Sequence, residues 1–360
     1  MKQINSTKLS FKNQDLYVGI DVHKKQWTVC VTSMNRVVHK NTSIDPSAKV
    51  LYTFLNRRFP EGNFHAVYEA GFSGFEAARE MKRLGIDCIV THAADVPTKQ
   101  KERINKNDKV DAKKLSRSLG NHELDAIYIP DKVCEEYRYL ARYRYRLVKD
   151  QTRQKNRIKS ALFQFGITMP VEFDDRRWPG KFIEWLSSIP FETGYAKFAF
   201  DEQVDQLKQI RNVLGKILKM MKTMALEVGH MSPVYKYLLS VPGIGPITAV
   251  ALLSEIMDIK RFRVSDQLVA FVGLAPSVPS SDGKEYNHGL TPRRNKYLRS
   301  MLVEAAWKAA AIDPVLIMKY GKLSHRMNKN KAIIRIAKML LCRVSHVWKN
   351  QQFYVEGVIH

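Results

Sequence analysis

The sequence predicts a mixed α/β domain at its amino terminus, followed by two mainly helical regions. In the first third of the 360 residues, short runs of β-branched and aromatic residues alternate with helical patterns. Further along, apolar residues recur at spacings of three and four, which indicates long amphipathic helices. The predicted domains are 14–128 (α/β), 129–232 (a helical coiled-coil arm) and 233–355 (a mainly α carboxy-terminal domain).

The elements of the first domain follow one another in an order that specifies its fold. LYVGIDV, WTVCVTS and RVVHK are spaced as strands of an antiparallel meander. FHAVYEA and DCIVTHA are two further strands, and helices are expected over 46–56, GFEAAREMKRLG and DKVDAKKLSRSLG. A three-stranded meander followed by alternating helices and strands is the pattern of a ribonuclease-H-like domain.

The later regions are predicted from helical periodicity. A basic, tyrosine-rich stretch over 132–165 and a second amphipathic run over 198–227 indicate a helical hairpin or coiled coil, suited to oligomerisation. A plain helical bundle with a solvated basic face is the alternative. LLSVPGIGPITAVALLSEI predicts a helix–hairpin–helix in which Gly243 and Gly245 let backbone N–H groups approach a phosphate. A tight turn between two helices also favours glycine.

The composition limits the classes of partner. Lys and Arg number 59 against 35 Asp and Glu, a formal net charge of +24, which favours a polyanion. No apolar run approaches the roughly 20 residues of a membrane span, and no secretion signal is expected. The four cysteines are scattered, which indicates neither a zinc site nor a disulfide framework. A cytoplasmic protein without a membrane partner is therefore expected.

Four carboxylates of the first domain are candidates for metal binding. Asp21 and Glu69 each end a predicted strand, while Asp108 and Asp111 share one face at the start of a predicted helix. If these elements meet, the carboxylates converge and require a divalent cation, Mg²⁺ or Mn²⁺, as in phosphodiester chemistry. Alternatively, Asp108 and Asp111 complement a helix N-terminus and Asp21 caps a turn.

Basic residues cluster at two places where a phosphate backbone could bind. PSSDGKEYNHGLTPRRNKYLRSML carries the adjacent serines Ser280 and Ser281 ahead of an arginine-rich helix start. Tyrosines interleave with arginines in the arm and are suited to stacking on unpaired bases, or to packing in a helical core. Solvation at the surface is the alternative for each cation. The predicted nucleic-acid-binding side chains are Arg293, Arg294, Lys296 and Arg299 beside the serines, and Arg142, Arg146, Arg153, Lys155 and Arg157 in the arm.

Six blocks in order carry a resemblance to a known family: YVGIDVHKKQW, VYEAGFSGFEAAREMKRLGIDCIV, KNDKVDAKKL, LLSVPGIGPITAVALLSEI, FVGLAPSVPSSDGK and NKYLRSMLVEAAWKAA. They resemble the DEDD-type transposases of bacterial insertion sequences, family one-ten, which are described as bridge-RNA-guided recombinases. The resemblance extends from about Leu16 to Tyr354. It implies a RuvC-like domain, a coiled-coil linker and a carboxy-terminal transposase domain with a nucleophilic serine.

The resemblance also assigns the site residues and the partners. Ser281 is the best match to the nucleophile, and Ser280 is the neighbour with which it could be confused. A tetramer (or dimer), a structured guide RNA, donor and target DNA, and a nucleoid-associated place in a bacterial cytoplasm are implied. The implied carboxylate set is Asp21, Glu69, Asp108 and Asp111.

Two departures from the family pattern concern the serine segment. Asp282 stands between the serine pair and Gly283, and Arg294 replaces a glycine in the turn before the arginine helix. Neither change removes a catalytic group.

The expected function is a serine-dependent, Mg²⁺-assisted DNA recombinase. The alternatives are a Mg²⁺-dependent DEDD nuclease or Holliday-junction resolvase-like enzyme with a structural serine, and a non-catalytic nucleic-acid-binding protein.

Overall fold

The computed structural model describes residues 10–34, 36–97, 108–173, 178–227, 232–276, 280–281, 284–285, 290–291 and 294–357. For residues 108–109, 227, 232, 280–281 and 284–285 it describes the backbone alone. The chain divides into two compact units, Met1–Ile129 and Pro130–His360. The three-domain division expected from the sequence stays a prediction.

A five-stranded mixed sheet forms the centre of the first unit, as the strand pattern predicts. Its spatial order is β3-β2-β1-β4-β5. The first three strands pair antiparallel, whereas β4 and β5 run parallel to β1. The strands are β1 (Asp15–Val22), β2 (Trp27–Ser33), β3 (Arg36–Ile44), β4 (Asn63–Glu69) and β5 (Asp87–Thr91).

Among the residues that the structure describes, three helices cover the two faces of this sheet. They are α1 (Ala48–Arg58), α2 (Glu76–Arg83) and α3 (Asp108–Gly120). Alternate residues of β1, such as Leu16, Val18 and Ile20, are fully buried in a core that includes apolar residues of α1 and α2. The other face of β1 contacts α3, whose Leu115 packs against Val67 of β4. The period of two in the strands thus assigns each side chain to one helical layer.

In its described segments, the second unit consists mainly of helices, together with a short hairpin. Two long antiparallel helices pack along each other, and Ile158 and Leu162 share a core with Val204 and Leu207. A second core joins their opposite ends to the carboxy-terminal helices. The helices are α4 (Lys132–Gln164), α5 (Gly180–Ser188), α6 (Gly194–Glu227), α7 (Ser232–Leu239), α8 (Pro246–Ile256), α9 (Ser265–Val272), α10 (Lys296–Ile312), α11 (Pro314–Ser324) and α12 (Lys329–Asn350), and the hairpin strands are β6 (Ser280–Ser281) and β7 (Lys284–Glu285).

Across the described ranges, no helix carries an apolar stretch of the length and composition that a bilayer crossing demands.

Candidate active site and nucleic-acid interface

Asp21 and Glu69 lie side by side at one edge of the sheet. They follow Ile20 and Tyr68, which are partners in the parallel ladder between β1 and β4. Neighbouring strands are about 4.8 Å apart, so the two carboxylates emerge close together at the carboxyl ends of the strands. Their side chains are 22% and 33% exposed, and Asp21 also contacts His23, whose Nε2 lies 3.1 Å from Asp21 Oδ2. This edge is open enough for a substrate to reach.

Gly19 allows α3 to approach this edge closely. A Cβ atom at Gly19 would lie 2.0 Å from the carbonyl oxygen of Ala112 and 2.4 Å from the backbone nitrogen of Ser116. Residues two apart in a strand share a face, so Asp21 is on the face that α3 covers. Asp111 precedes Ala112 in α3, and the close contact therefore brings a third carboxylate to the edge.

Lys114 links two of the three carboxylates, and it is not among the site residues predicted from the sequence. Its Nζ donates a hydrogen bond to Asp111 Oδ1 at 3.2 Å and lies 3.9 Å from Glu69 Oε1. The residue is only 7% exposed. Its spacing of three from Asp111 is the one sequence signal of this pairing, and that signal is weak because such pairs are common on exposed helix surfaces.

The donor set at this edge fits a hard divalent cation, since carboxylate oxygens are the ligands that Mg²⁺ and Mn²⁺ prefer. A cationic group already lies between Glu69 and Asp111, which indicates that the carboxylates need positive charge. Within the described residues, no three His, Cys, Asp or Glu side chains are grouped as a metal site. The backbone of Asp108 opens α3, and its side chain lies outside the described residues. The four-carboxylate metal site therefore stays a prediction.

The two candidate serines lie on the first strand of a two-stranded hairpin. Ser280 pairs with Glu285 and Ser281 pairs with Lys284. A bridge between Pro276 and Leu290 extends the pairing towards the base of this segment. The serine side chains lie outside the described residues, so the choice between Ser281 and Ser280 stays a prediction.

The departure at Asp282 falls between the two strands of the hairpin. The pairing of Ser281 with Lys284 leaves two residues, Asp282 and Gly283, between the paired positions. Both lie outside the described residues. Asp-Gly is one of the dipeptides that hairpin turns prefer in sequences, and the role of Asp282 stays open.

The basic helix after the hairpin begins at a strong cap. Asn295 accepts hydrogen bonds at 3.1 Å from the backbone nitrogens of Tyr297 and Leu298. Arg294 and Lys296 on either side are exposed. Arg299 is half-buried, and its Nη1 is buried with no hydrogen-bond partner among the described groups. Burial, together with the charge of Arg294, lowers the pKa of Arg299. Of the four predicted phosphate ligands here, Arg293 lies outside the described residues.

Arg142 is held by a buried carboxylate. Its Nε and Nη2 donate to the two oxygens of Glu255 at 2.6 and 2.8 Å, and Glu255 is 1% exposed. Burial disfavours the charge on Arg142, but the hydrogen bonds to Glu255 outweigh it and raise its pKa. The amide of Asn295 donates to the same carboxylate at 2.8 Å. Arg142, predicted to bind nucleic acid, thus connects α4, α8 and the start of α10.

The remaining cations of the arm have varied surroundings. The Arg146 guanidinium lies over the rings of Tyr139 and Tyr143, 5.6 and 5.9 Å from their centroids. Arg153 pairs with Asp150. Further along α4, Lys155 lies 5.4 Å from the Trp178 ring centroid, and Arg157 donates to the Gln154 side chain at 3.3 Å. Arg146 and Arg153 lie on the exposed part of the arm, where a phosphate backbone has access to them.

The two glycines of the predicted helix–hairpin–helix have different roles. Gly243 has a φ of +86°, and a Cβ there would lie 2.5 Å from the carbonyl oxygen of Ala305 in α10. It therefore serves a turn and a close contact within the protein. Gly245 is the cap residue before α8, and a Cβ at its position would meet nothing within 4 Å. A phosphate contact at this helix terminus stays a prediction.

Two family models match the chain, and both describe transposases. Residues 18–167 match a model of DEDD transposases of the IS110 type, described as "Transposase". Residues 235–322 match the model described as "Transposase IS116/IS110/IS902 family". Both matches support a transposase of the DEDD class.

Curated relatives from several bacteria agree with this assignment. The chain is 29% identical to a putative transposase, y4rJ, of Sinorhizobium fredii, with 96% of the chain and 94% of the relative covered. It is 26% identical to the transposase of insertion sequence element IS1533 of Leptospira borgpetersenii, over 81% and 85% of the two chains. For the IS1111A transposase of Coxiella burnetii the identity is also 26%, over 80% and 76%. Within the DEDD class, the two family models and these relatives together support the assignment of the chain to the IS110 family of transposases.

Proposed function

We propose that this transposase is a site-specific DNA recombinase that moves an insertion sequence through a serine nucleophile. Its first unit acts as a RuvC-like domain in which Asp21, Glu69, Asp108 and Asp111 hold Mg²⁺ or Mn²⁺. The observation that supports the proposal is that Asp21 and Glu69 end neighbouring parallel strands, while Lys114 lies within 4 Å of both Glu69 and Asp111. The order β3-β2-β1-β4-β5, with an antiparallel meander and two parallel strands, supports the RuvC-like assignment.

The proposed chemistry is a transesterification that conserves the phosphodiester bond energy. The hydroxyl oxygen of Ser281 attacks a DNA phosphorus in line, and the bond from phosphorus to the leaving sugar oxygen breaks. The proton lost by serine balances the one gained by the leaving hydroxyl. A sugar hydroxyl of another strand then reverses the step, so strands are exchanged without ATP. A bound divalent cation would stabilise the negative charge on the attacking and leaving oxygens.

The cations near the hairpin would hold the DNA backbone during this reaction. Arg294 and Lys296 are exposed beside the capped start of α10, and arginine is suited to bidentate contact with phosphate. We assign the exposed arm residues Arg146 and Arg153 to a nucleic-acid backbone as well. A structured guide RNA and a tetramer complete the proposal, and both rest on the resemblance to the family.

The nucleophile is tested by trapping a covalent protein–DNA species on a denaturing gel. Ser281→Ala should abolish this species and strand exchange while DNA binding persists, because only the attacking oxygen is lost. Ser280→Ala is the matched control and should retain both the covalent species and strand exchange. Recombination by each single variant at the wild-type rate would remove the serine from the mechanism. Strand cleavage without a covalent species would favour the DEDD nuclease or resolvase-like alternative.

The metal site is tested separately by Asp21→Asn. This change keeps the side-chain shape but removes a charged ligand, and it should reduce strand cleavage in Mg²⁺ by at least about 10²-fold. Asp87→Asn, at the opposite end of the sheet, is the control. Full activity of the Asp21 variant contradicts the metal role.

The RNA partner is tested by purifying the chain with its bound nucleic acid and sequencing the RNA. A single structured RNA encoded beside the transposase gene is expected. Recovery of random cellular RNA alone, with strand exchange by protein and DNA only, contradicts RNA guidance.

A further inference from the structure

Lys114 is a buried charged group at the carboxylate edge that the proposed chemistry does not use. It is 7% exposed, and lysine is almost never buried without a partner. Its ammonium is compensated by two carboxylates from different elements, Asp111 on α3 at 3.2 Å and Glu69 on β4 at 3.9 Å. The neighbouring Lys113 is exposed, so burial is specific to the lysine that faces the site.

The position of this ammonium conflicts with a divalent cation bound to the same carboxylates. Mg²⁺ requires ligand oxygens at about 2.1 Å, so an ion shared by Glu69 and Asp111 would occupy the space near both oxygens. Nζ of Lys114 is already within 4 Å of both. Two positive charges at such separations repel strongly in a partly buried site. Without any cation, the two carboxylates would repel each other.

We propose that Lys114 is a built-in counter-cation of this site, which holds Glu69 and Asp111 together before a divalent ion binds and competes with that ion for them. This inference rests on the proposed function, because it takes the carboxylates to be metal ligands. Lys114 is a positioning residue in this scheme. It keeps the acidic edge folded in the metal-free protein, and it limits metal affinity until the ammonium moves away.

The test measures Mn²⁺ affinity in the full chain by calorimetry, without DNA or turnover. Lys114→Met keeps the length of the side chain and removes its charge, so the Kd for Mn²⁺ should fall about tenfold. Lys113→Met removes one charge from the exposed neighbouring position and should bind Mn²⁺ as the wild type does. Lys114→Gln should also bind Mn²⁺ more tightly than the wild type does. Its amide can still donate a hydrogen bond to Asp111, so this variant is expected to fold even if Lys114→Met does not.

Thermal unfolding gives a second, independent measurement. In chelator, Lys114→Met should melt about 3 °C below Lys113→Met, because the carboxylates lose their counter-charge. Saturating Mn²⁺ should raise the Tm of Lys114→Met by more than it raises the Tm of the wild type.

The outcomes separate the role of Lys114 from the metal hypothesis. If the wild type binds Mn²⁺ and both Lys114 variants bind it equally well or more weakly, the ammonium does not compete with the ion. That result contradicts the proposal. If neither the wild type nor the variants bind Mn²⁺, the metal site of the proposed function fails, and the competition fails with it.

Discussion

Glu255 illustrates how a single buried carboxylate organises the second unit. It accepts two hydrogen bonds from Arg142 and one from Asn295, and Arg138 lies 3.7 Å away. These partners come from the arm and from the cap of α10. The carboxylate therefore fixes the start of the basic helix relative to the arm, immediately after the serine hairpin.

Removing the charge of Glu255 should destabilise the second unit. In Glu255→Gln, the Arg142 side chain, which is 35% exposed, loses its counter-ion. Because solvent screens part of this charge, the loss should be about 2 kcal/mol, below the roughly 3–5 kcal/mol of a fully buried pair. The measurement is the free energy of unfolding in urea. Asp266→Asn is the matched control, because Asp266 pairs with Lys338 while 85% exposed, and exposed pairs contribute about 0–1 kcal/mol. Equal losses in the two variants contradict this account.

Tyr354 should make stability fall at high pH. Burial raises its pKa to about 12, and the hydrogen bond that its hydroxyl donates to Asp313 at 2.7 Å acts in the same direction. The unfolded chain releases this proton near pH 10. The contribution of neutral Tyr354 is therefore complete below pH 10 and is lost as the pH rises towards 12.

This pH dependence is measured by urea unfolding at pH 8 and pH 11. The wild type should lose more stability over this interval than Tyr354→Phe, by up to about 1 kcal/mol, because Tyr354 is partly exposed and solvent screens the effect. Equal losses of unfolding free energy in the two proteins would show that groups other than Tyr354 cause the alkaline sensitivity.

At the scale of elements, the contact between β1 and α3 decides whether the carboxylate edge forms. The contact depends on Gly19, since its missing side chain lets the backbone of α3 touch the strand. The hydroxyl of Thr32 in β2 donates to the carbonyl oxygen of Ser116 at 3.2 Å and holds the same helix. Asp111 reaches the site through this packing, whereas Asp21 and Glu69 reach it through strand pairing.

Gly19→Ala should displace α3 and impair the site. The new Cβ meets backbone atoms that cannot rotate away, so overpacking should cost at least about 1–3 kcal/mol, and Mn²⁺ binding should weaken. Gly71→Ala is the control, because a Cβ there meets nothing within 4 Å. Thermal melting and Mn²⁺ calorimetry on both variants provide the measurements. A Gly19 variant that melts and binds like Gly71→Ala contradicts the role assigned to this contact.

The same elements show what can be predicted from sequence. The strands of the sheet follow from alternation and hairpin spacing, and parallel pairing of two strands is enough to place Asp21 beside Glu69. The ion pair of Arg142 joins residues 113 positions apart, and no local pattern encodes such a pairing. Burial of Lys114 depends on how closely α3 approaches the sheet. This distance cannot be predicted from composition or from helical periodicity.

For the whole molecule, internal pairing reduces the number of cations available to a polyanion. Lys and Arg number 59, but Arg142 is committed to Glu255 and Arg343 donates to the buried Asp313 at 2.8 Å. These arginines stabilise the helical unit. We therefore expect phosphate contacts from exposed cations such as Arg294 and Lys296, and fewer neutralised phosphates than the number of Lys and Arg residues implies.

The salt dependence of DNA binding should count those contacts. The logarithm of the binding constant falls linearly with the logarithm of salt concentration, with a slope of about −0.9 for each phosphate neutralised on duplex DNA. If Arg294 and Lys296 each contact a phosphate, Arg294→Ala with Lys296→Ala should reduce the steepness of the slope by about two. Arg83→Ala is the control, because Arg83 pairs with Glu76 at 3.0 Å and is not among the predicted nucleic-acid-binding residues, and its slope should match the wild type. Fluorescence anisotropy from 50 to 300 mM salt measures all three proteins. A double variant that binds more weakly with an unchanged slope would show that these side chains support the fold of the hairpin and helix start without touching the DNA backbone.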